Sequence, residues 1–245
     1  MSENSTLAQR LDENPVHLRF TEHDFFKSVR KERLTREQVG VFLGQWWHPL
    51  HYFPTFLARS VAALPDIASK SAITRILNQE AGGGKADRAH ETIYADSMEK
   101  VGFDRDLVTG SAPFPETAAL VEGYERASAE RFSALGFIFA TEVTDLLMVS
   151  SIGIAVRQVT GSPDNEWVSI HVEQEPDHVE EANHTILEGF TAEEEAEVLA
   201  TAEEMWSLWI GFFDRLATET AVGTPSGNAF RPLAAAGVRE GGGDD

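Results

Sequence analysis

This sequence predicts an all-α fold, a bundle of about seven helices with short connections, on three observations. Helix-opening signals recur along the chain, strong breakers separate them, and no stretch reads convincingly as a strand.

Taken in order, the N-terminus MSENSTLAQRLDENP is polar and lacks the apolar centre of a signal sequence. Residues 1–15 therefore read as a flexible lead. Thr35 and Gln38 form a capping box ahead of VGVFLGQWW and open a helix to about Leu64, which Pro49 and Pro54 should bend or interrupt. Pro65 starts the next helix, which reaches Glu80 before Gly82-Gly83-Gly84, and a further helix runs from about Lys85 to Val101. Pro115 opens TAALVEGYERASAER. Residues 132–160 form a mostly apolar helix ended by Gly161-Ser162-Pro163, and another covers 166–188. Thr191 with Glu194 caps the last long helix. The helical domain spans 16–222, and the tail 223–245, ending GVREGGGDD, reads as disordered.

A chain of 245 residues suffices for one domain with a substantial core. Its 40 acidic and 20 basic residues give a formal charge of −20, a surface that repels phosphate backbones and anionic lipid. The expected partner is a small molecule, neither nucleic acid nor membrane. With no cysteine at all, a disulfide framework, thiolate metal ligands and a cysteine nucleophile are excluded. A cytoplasmic location is expected. The longest apolar stretch, around residues 134–156, is broken by Thr141, Glu142, Thr144 and Asp145 and is too polar for a lipid-facing span.

Chemistry concentrates in the run HVEQEPDH. On a helix turning 100° per residue, His171, Glu175 and His178 fall within about 40° of one another. Two imidazoles and a carboxylate on one stripe make half of a transition-metal site. The competing reading is a solvated acidic face, because Glu173, Asp177, Glu180 and Glu181 stand close by. Pro176, which lacks the N–H that would bond back to Val172, either kinks this helix or begins a new one. Glu142 sits among Phe137, Ile138, Phe139, Val143, Leu146 and Leu147. An unpaired buried carboxylate costs roughly several kcal/mol, so a bound cation, Arg131 or Arg157 should neutralise it. Glu80 and His90 would lie about 15 Å apart along a straight helix. They meet at one metal only if the helix breaks, and the three glycines between them supply that freedom. Taken alone, the segment reads more simply as a helix ending at Gly82 with Glu80 solvated. His17, His23 and His184 read as surface residues.

The ordered set Glu80, His90, Glu142, His171-x3-Glu175-x2-His178 resembles the heme-oxygenase-like diiron oxidases and oxygenases, over about residues 35–220. The resemblance implies a seven-helix fold shared with heme oxygenase and thiaminase II, two Fe(II) ions as cofactor, and O2 as co-substrate. Glu80 and His90 would bind one iron, His171 and His178 would complete the site, and Glu142 and Glu175 would bridge or cap the pair. Glu80, Glu142 and Glu175 would then stand closest to the chemistry. An external electron donor and a homodimer are the further partners it allows.

There are two departures. The family usually has aspartate where this chain has Glu175. N-oxygenating members carry an extra glutamate on the early core helix, whereas no acid occurs here between Glu37 and Asp66. Gln45, His48 or His51 is the available seventh ligand, and His48, His51 and Arg157 are candidate substrate contacts. Trp46, Trp47, Phe53 and Phe56 are candidate pocket walls; Arg59 and Arg88 are candidates for a substrate carboxylate or, more simply, surface ion pairs. The resemblance implies oxidation of a small amine, amino acid or carboxylic acid, with C–C or C–H cleavage or desaturation favoured over N-oxygenation. The alternatives are a heme-binding relative with His17 or His23 as axial ligand, a metal-free member of the fold, or a non-catalytic helical binding protein.

Overall fold

Local capping chemistry decides most helix boundaries. A computed structural model describes residues 6–173 and 190–223. Among these, every regular element is a helix. They are α1 (Leu7–Asp12), α2 (Pro15–Thr21), α3 (Asp24–Lys31), α4 (Arg36–Ala63), α5 (Ile67–Glu80), α6 (His90–Lys100), α7 (Arg105–Gly110), α8 (Pro115–Ala127), α9 (Arg131–Thr160), α10 (described over residues 166–173) and α11 (Ala192–Thr220). Short 3-10 turns at Gly82–Gly84 and Ala86–Arg88 join α5 to α6. The capping boxes at Thr35/Gln38 and Thr191/Glu194 are both present, and Gly161, at φ 71°, closes α9. The tail beyond residue 223 lies outside the described residues.

Two boundaries differ from the sequence reading, and α4, with the expected ends, is not interrupted at Pro49 or Pro54. Each proline removes one backbone bond, but buried side chains from Phe42 to Leu57 hold the helix against its neighbours on both sides of the defect. α5 starts two residues after Pro65, because the Asp66 side chain accepts from Ser69 N at 2.8 Å and makes the cap. The expected helix from Lys85 to Val101 begins only at His90. The N-terminal region supplies three helices the sequence did not suggest, and Leu7 and Leu11 of α1 are buried.

α9 and α11 form the most extensive helix pair, and α4 and α8 pack on both of them. α2 and α3 also contact α9 and α11, while α5, α6 and α7 lie against α4. α9 has the length and composition of a membrane span, but 67% of its most apolar window is buried inside the bundle, as expected of a core helix.

The α9–α11 contact depends on Gly136. A Cβ there would lie 2.1 Å from Thr201 Oγ1 and 2.6 Å from the Val198 carbonyl. Alanine has the higher helix propensity by about 0.5–1 kcal/mol, but overpacking against backbone outweighs it. Gly136→Ala is therefore expected to destabilise the fold by about 2–3 kcal/mol, lowering the melting temperature by roughly 4–12 °C in a calorimetric scan.

Candidate metal centre

A cavity of about 40 Å³ lies between α4, α8, α9, α10, α11 and the α5–α6 junction. One stripe of α4 (Trp46, Pro49, Leu50, Phe53) forms its apolar wall, with Trp167 from α10 and Trp209 from α11. α9 presents Thr141, Glu142, Asp145 and Met148, α8 presents Tyr124, and Glu80, His90 and His171 complete the lining.

Glu80, His90 and His171 are all buried, and one ligand atom from each lies within 4.8 Å of the others. Glu80 is the last residue of α5 and His90 the first of α6. The link between them reverses through Gly82, Gly83 and Gly84, all at positive φ. Only glycine takes such angles freely, so this turn brings two residues ten apart to a 3.0 Å approach between His90 Nδ1 and Glu80 Oε1. That approach lacks hydrogen-bond geometry, and the buried Nδ1 has no hydrogen-bond partner among the described residues. A buried polar atom left so costs about 1–3 kcal/mol unless something else meets it. His171 is held differently. Its Nδ1 stands 2.8 Å from the Trp167 carbonyl, which can only accept, so Nδ1 carries a proton and Nε2 is the ring nitrogen left for a metal. This is the support metal-ligating histidines typically have. The donor set, two imidazoles with carboxylates in a buried site, fits ferrous iron.

Glu142, also buried, faces this cavity from α9, with Asp145 one turn on. Tyr124 Oη lies 3.0 Å from Thr141 Oγ1, whose own hydrogen is given to the Phe137 carbonyl, so the phenol donates. Burial, with Glu142 and Asp145 nearby, pushes the Tyr124 phenol well above its ordinary range and keeps it protonated.

Glu175 and His178 lie outside the described residues, as does His184. The other candidates sit elsewhere. Gln45 donates to the Ala112 carbonyl and accepts from Phe114 N and Thr117 Oγ1, pinning the loop before α8. His48 Nε2 meets the Ser111 carbonyl at 2.9 Å, and burial lowers its pKa. His51 pairs with Glu91 and stacks on Trp47 at the surface. Neither histidine shares the α4 stripe that lines the cavity. Arg157 is exposed on α9 and is not among the lining residues. Arg59 and Arg88 make exposed ion pairs with Glu125 and Glu166. Of the four proposed aromatic walls, Trp46 and Phe53 line the cavity, while Phe56 packs against Tyr124 and Phe137. His17 stacks on Trp206, and His23 caps α3 and contacts Asp214, so both serve the N-terminal packing rather than the cavity.

Sequence reasoning missed Trp167 and Asp145. The available signal for Asp145 was its position three residues after Glu142, on one face of an apolar helix.

An all-helical bundle whose long core helices enclose an imidazole–carboxylate cluster defines a heme-oxygenase-like fold equipped for a redox metal. The chain belongs to the iron-containing redox enzyme family, whose model matches residues 41–210, and it is an oxidoreductase. It is 25% identical over 163 residues to 4-chloro-allylglycine synthase of Streptantibioticus cattleyicolor, a match covering 65% of this chain but 62% of that protein, under two thirds of its length. It is also 25% identical over 222 residues to 4-aminobenzoate synthase of Nitrosomonas europaea, covering 84% and 89% of the two chains. Among solved structures, a CADD-like protein of unknown function from Nostoc punctiforme superposes with a TM-score of 0.73 at 17% identity, covering 87% of this chain and 95% of its own. A TenA homologue from Pseudomonas syringae gives 0.69 at 15% identity, covering 86% and 93%. These two likenesses establish the fold alone.

Proposed function

We propose that this protein is a diiron, O2-activating oxidase that acts on a small amino acid, amine or carboxylic acid. The observation that carries the reading is the convergence of Glu80, His90 and His171 on the buried cavity that Glu142 also lines. These four residues would hold the metal, joined by Glu175 and His178 from the sequence pattern. Ferrous iron so bound supplies electrons for the reduction of O2.

The protein's own residues do the rest. Trp167 fixes the ring orientation and tautomer of His171. Trp46, Leu50, Phe53 and Trp209 keep bulk water from the site and present an apolar surface to a substrate. Tyr124, protonated and tied to Thr141, is a fixed dipole at the cavity wall. Oxidative C–C or C–H cleavage is favoured over N-oxygenation because the α4 lining carries neither carboxylate nor imidazole: it is Trp46, Pro49, Leu50 and Phe53. The two relatives are named for products that are amino acids, which supports a substrate of that size and polarity.

Anaerobic titration with Fe(II) is expected to load about two ions per chain, followed by O2 consumption when a suitable amine or amino acid is supplied. Absence of iron uptake would remove the reading.

A further inference from the structure

A row of aromatic rings leads away from the proposed metal centre to the protein surface. The His171 imidazole lies 4.6 Å from the Trp167 ring, and Trp167 meets Tyr94 edge to face at 4.9 Å. Tyr94 stacks on Trp47 at 6.4 Å, and Trp47 stacks on His51 at 5.2 Å, all between ring centroids. Trp167 and Tyr94 are fully buried, Trp47 is half-buried, and the His51 side chain is 61% exposed. A second branch leaves Trp167 through Trp46, at 6.2 Å, and continues to Trp209. It ends in the core, because Trp209 is buried and its other described ring contacts are Phe212 and Phe213.

The two indoles of the first branch differ chemically from the phenol between them. An indole can lose an electron and keep its proton, whereas a phenol at neutral pH must lose both. Tyr94 donates to the Leu43 carbonyl at 2.9 Å, which cannot take a proton, and burial pushes its pKa well up. Tyr94 therefore bridges the indoles without being oxidised itself. The Trp167 indole N–H has no hydrogen-bond partner among the described residues, so no base there traps an oxidised ring.

Two ferrous ions hold fewer electrons than full reduction of O2 to water requires, and substrate supplies the rest. O2 that reacts without substrate leaves the centre strongly oxidising. Resting on the iron-oxidase reading above, we infer that Trp167 and Trp47 carry oxidising equivalents outward from the centre to a small one-electron reductant, of the ascorbate class, at the surface. Trp167 gives one electron to the centre, Trp47 gives one to Trp167, and the reductant gives one to Trp47. Both indoles end unchanged. The centre is reduced by one electron, and the reductant is oxidised by one and releases its proton to water. A second passage supplies the pair that substrate would have given.

The test mixes Fe(II)-loaded full-length protein with O2 in the absence of substrate, with catalase present to remove released peroxide. Freeze-quenched samples are read by electron paramagnetic resonance for a tryptophan radical. Peptide mass spectrometry reads oxidation at each of the five tryptophans. Wild type should show the radical and oxidise Trp47 well above Trp206, which lies outside the row, and ascorbate should abolish both signals. Trp167→Phe should abolish the oxidation of Trp47. Trp47→Phe should lose the protection by ascorbate and accumulate oxidation at Trp167 instead. That half-buried position carries the test where Trp167→Phe fails to fold or to hold iron. Tyr94→Phe keeps the bridging ring and should leave Trp47 oxidation at the wild-type level. The inference is overturned by absence of the radical, by equal oxidation of Trp47 and Trp206, or by undiminished Trp47 oxidation in Trp167→Phe. Loss of Trp47 oxidation in Tyr94→Phe, or full protection of Trp47→Phe by ascorbate, would also overturn it. Iron uptake and O2 consumption by wild type are scored separately. Wild type that takes up no iron removes the oxidase reading and this inference with it; wild type that takes up iron and consumes O2 without tryptophan oxidation removes only this one.

Discussion

His171→Ala is expected to lose iron and activity together, with turnover falling at least about 100-fold. Three features converge on this side chain. It is buried, it lies in the tight cluster with Glu80 and His90, and its Nδ1–H bond to the Trp167 carbonyl leaves Nε2 as the only ring atom able to bind a metal. Alanine removes that ligand and opens a gap beside the Trp167 ring, whose centroid lies 4.6 Å from the imidazole. Wild-type protein at iron concentrations about 100 times its dissociation constant should gain about 2.7 kcal/mol of stability from the metal. His171→Ala should show little of that gain, so the difference in melting temperature with and without Fe(II) reads ligand loss independently of turnover. His51→Ala is the contrasting variant: this ring is exposed, paired with Glu91 and stacked on Trp47. Its iron content and turnover should match wild type. Equal iron retention by His171→Ala and wild type would contradict the proposed centre.

Gly82→Ala is the second large effect, and it acts on the site through the backbone. Gly82 sits at φ 72°, where a side chain costs about 1–2 kcal/mol. A Cβ there would also lie 2.4 Å from the Arg88 carbonyl carbon and 2.5 Å from Ala89 N. Those are main-chain atoms that cannot swing aside, and they lead directly into His90. The variant must therefore move the start of α6, and with it the imidazole, away from Glu80. We expect about 2–4 kcal/mol of destabilisation and an iron affinity reduced by more than about tenfold, measured by competition with a chelator. Gly83→Ala separates the two causes. Its φ of 62° is also left-handed, yet nothing stands within 4 Å of a Cβ there. It should cost only the backbone preference, about 1–2 kcal/mol, with iron affinity unchanged.

Patterns confined to neighbouring residues were readable before any coordinates. The capping boxes at Thr35 and Thr191, the stop at Gly161 and the apolar run of α9 each depend on residues within a turn or two of one another. The all-helical class follows from the same kind of pattern, whereas Glu80, His90, Glu142 and His171 became candidates together through the ordered set that resembles a known family. Where competing local signals met, sequence misjudged the outcome. Pro49 and Pro54 should weaken α4 by propensity, but the burial of residues on both sides of them prevails. Pro65 and Asp66 both signal a helix start, and the side-chain hydrogen bond of Asp66 places it.

The choice among candidates belongs to packing. Glu80 ends a helix, as a simple reading of the glycine run suggests, yet it is buried against His90 because the turn through Gly82–Gly84 folds back under α6. His48, His51 and Arg157 have chemistry as suitable as that of His171, but α4 and α9 rotate them away from the cavity and direct Trp46, Leu50, Glu142 and Asp145 into it. Residue type and spacing set which side chains can bind a metal or an amine. Which of them share a space 40 Å³ in volume depends on contacts between segments far apart in the chain, and no local pattern encodes those.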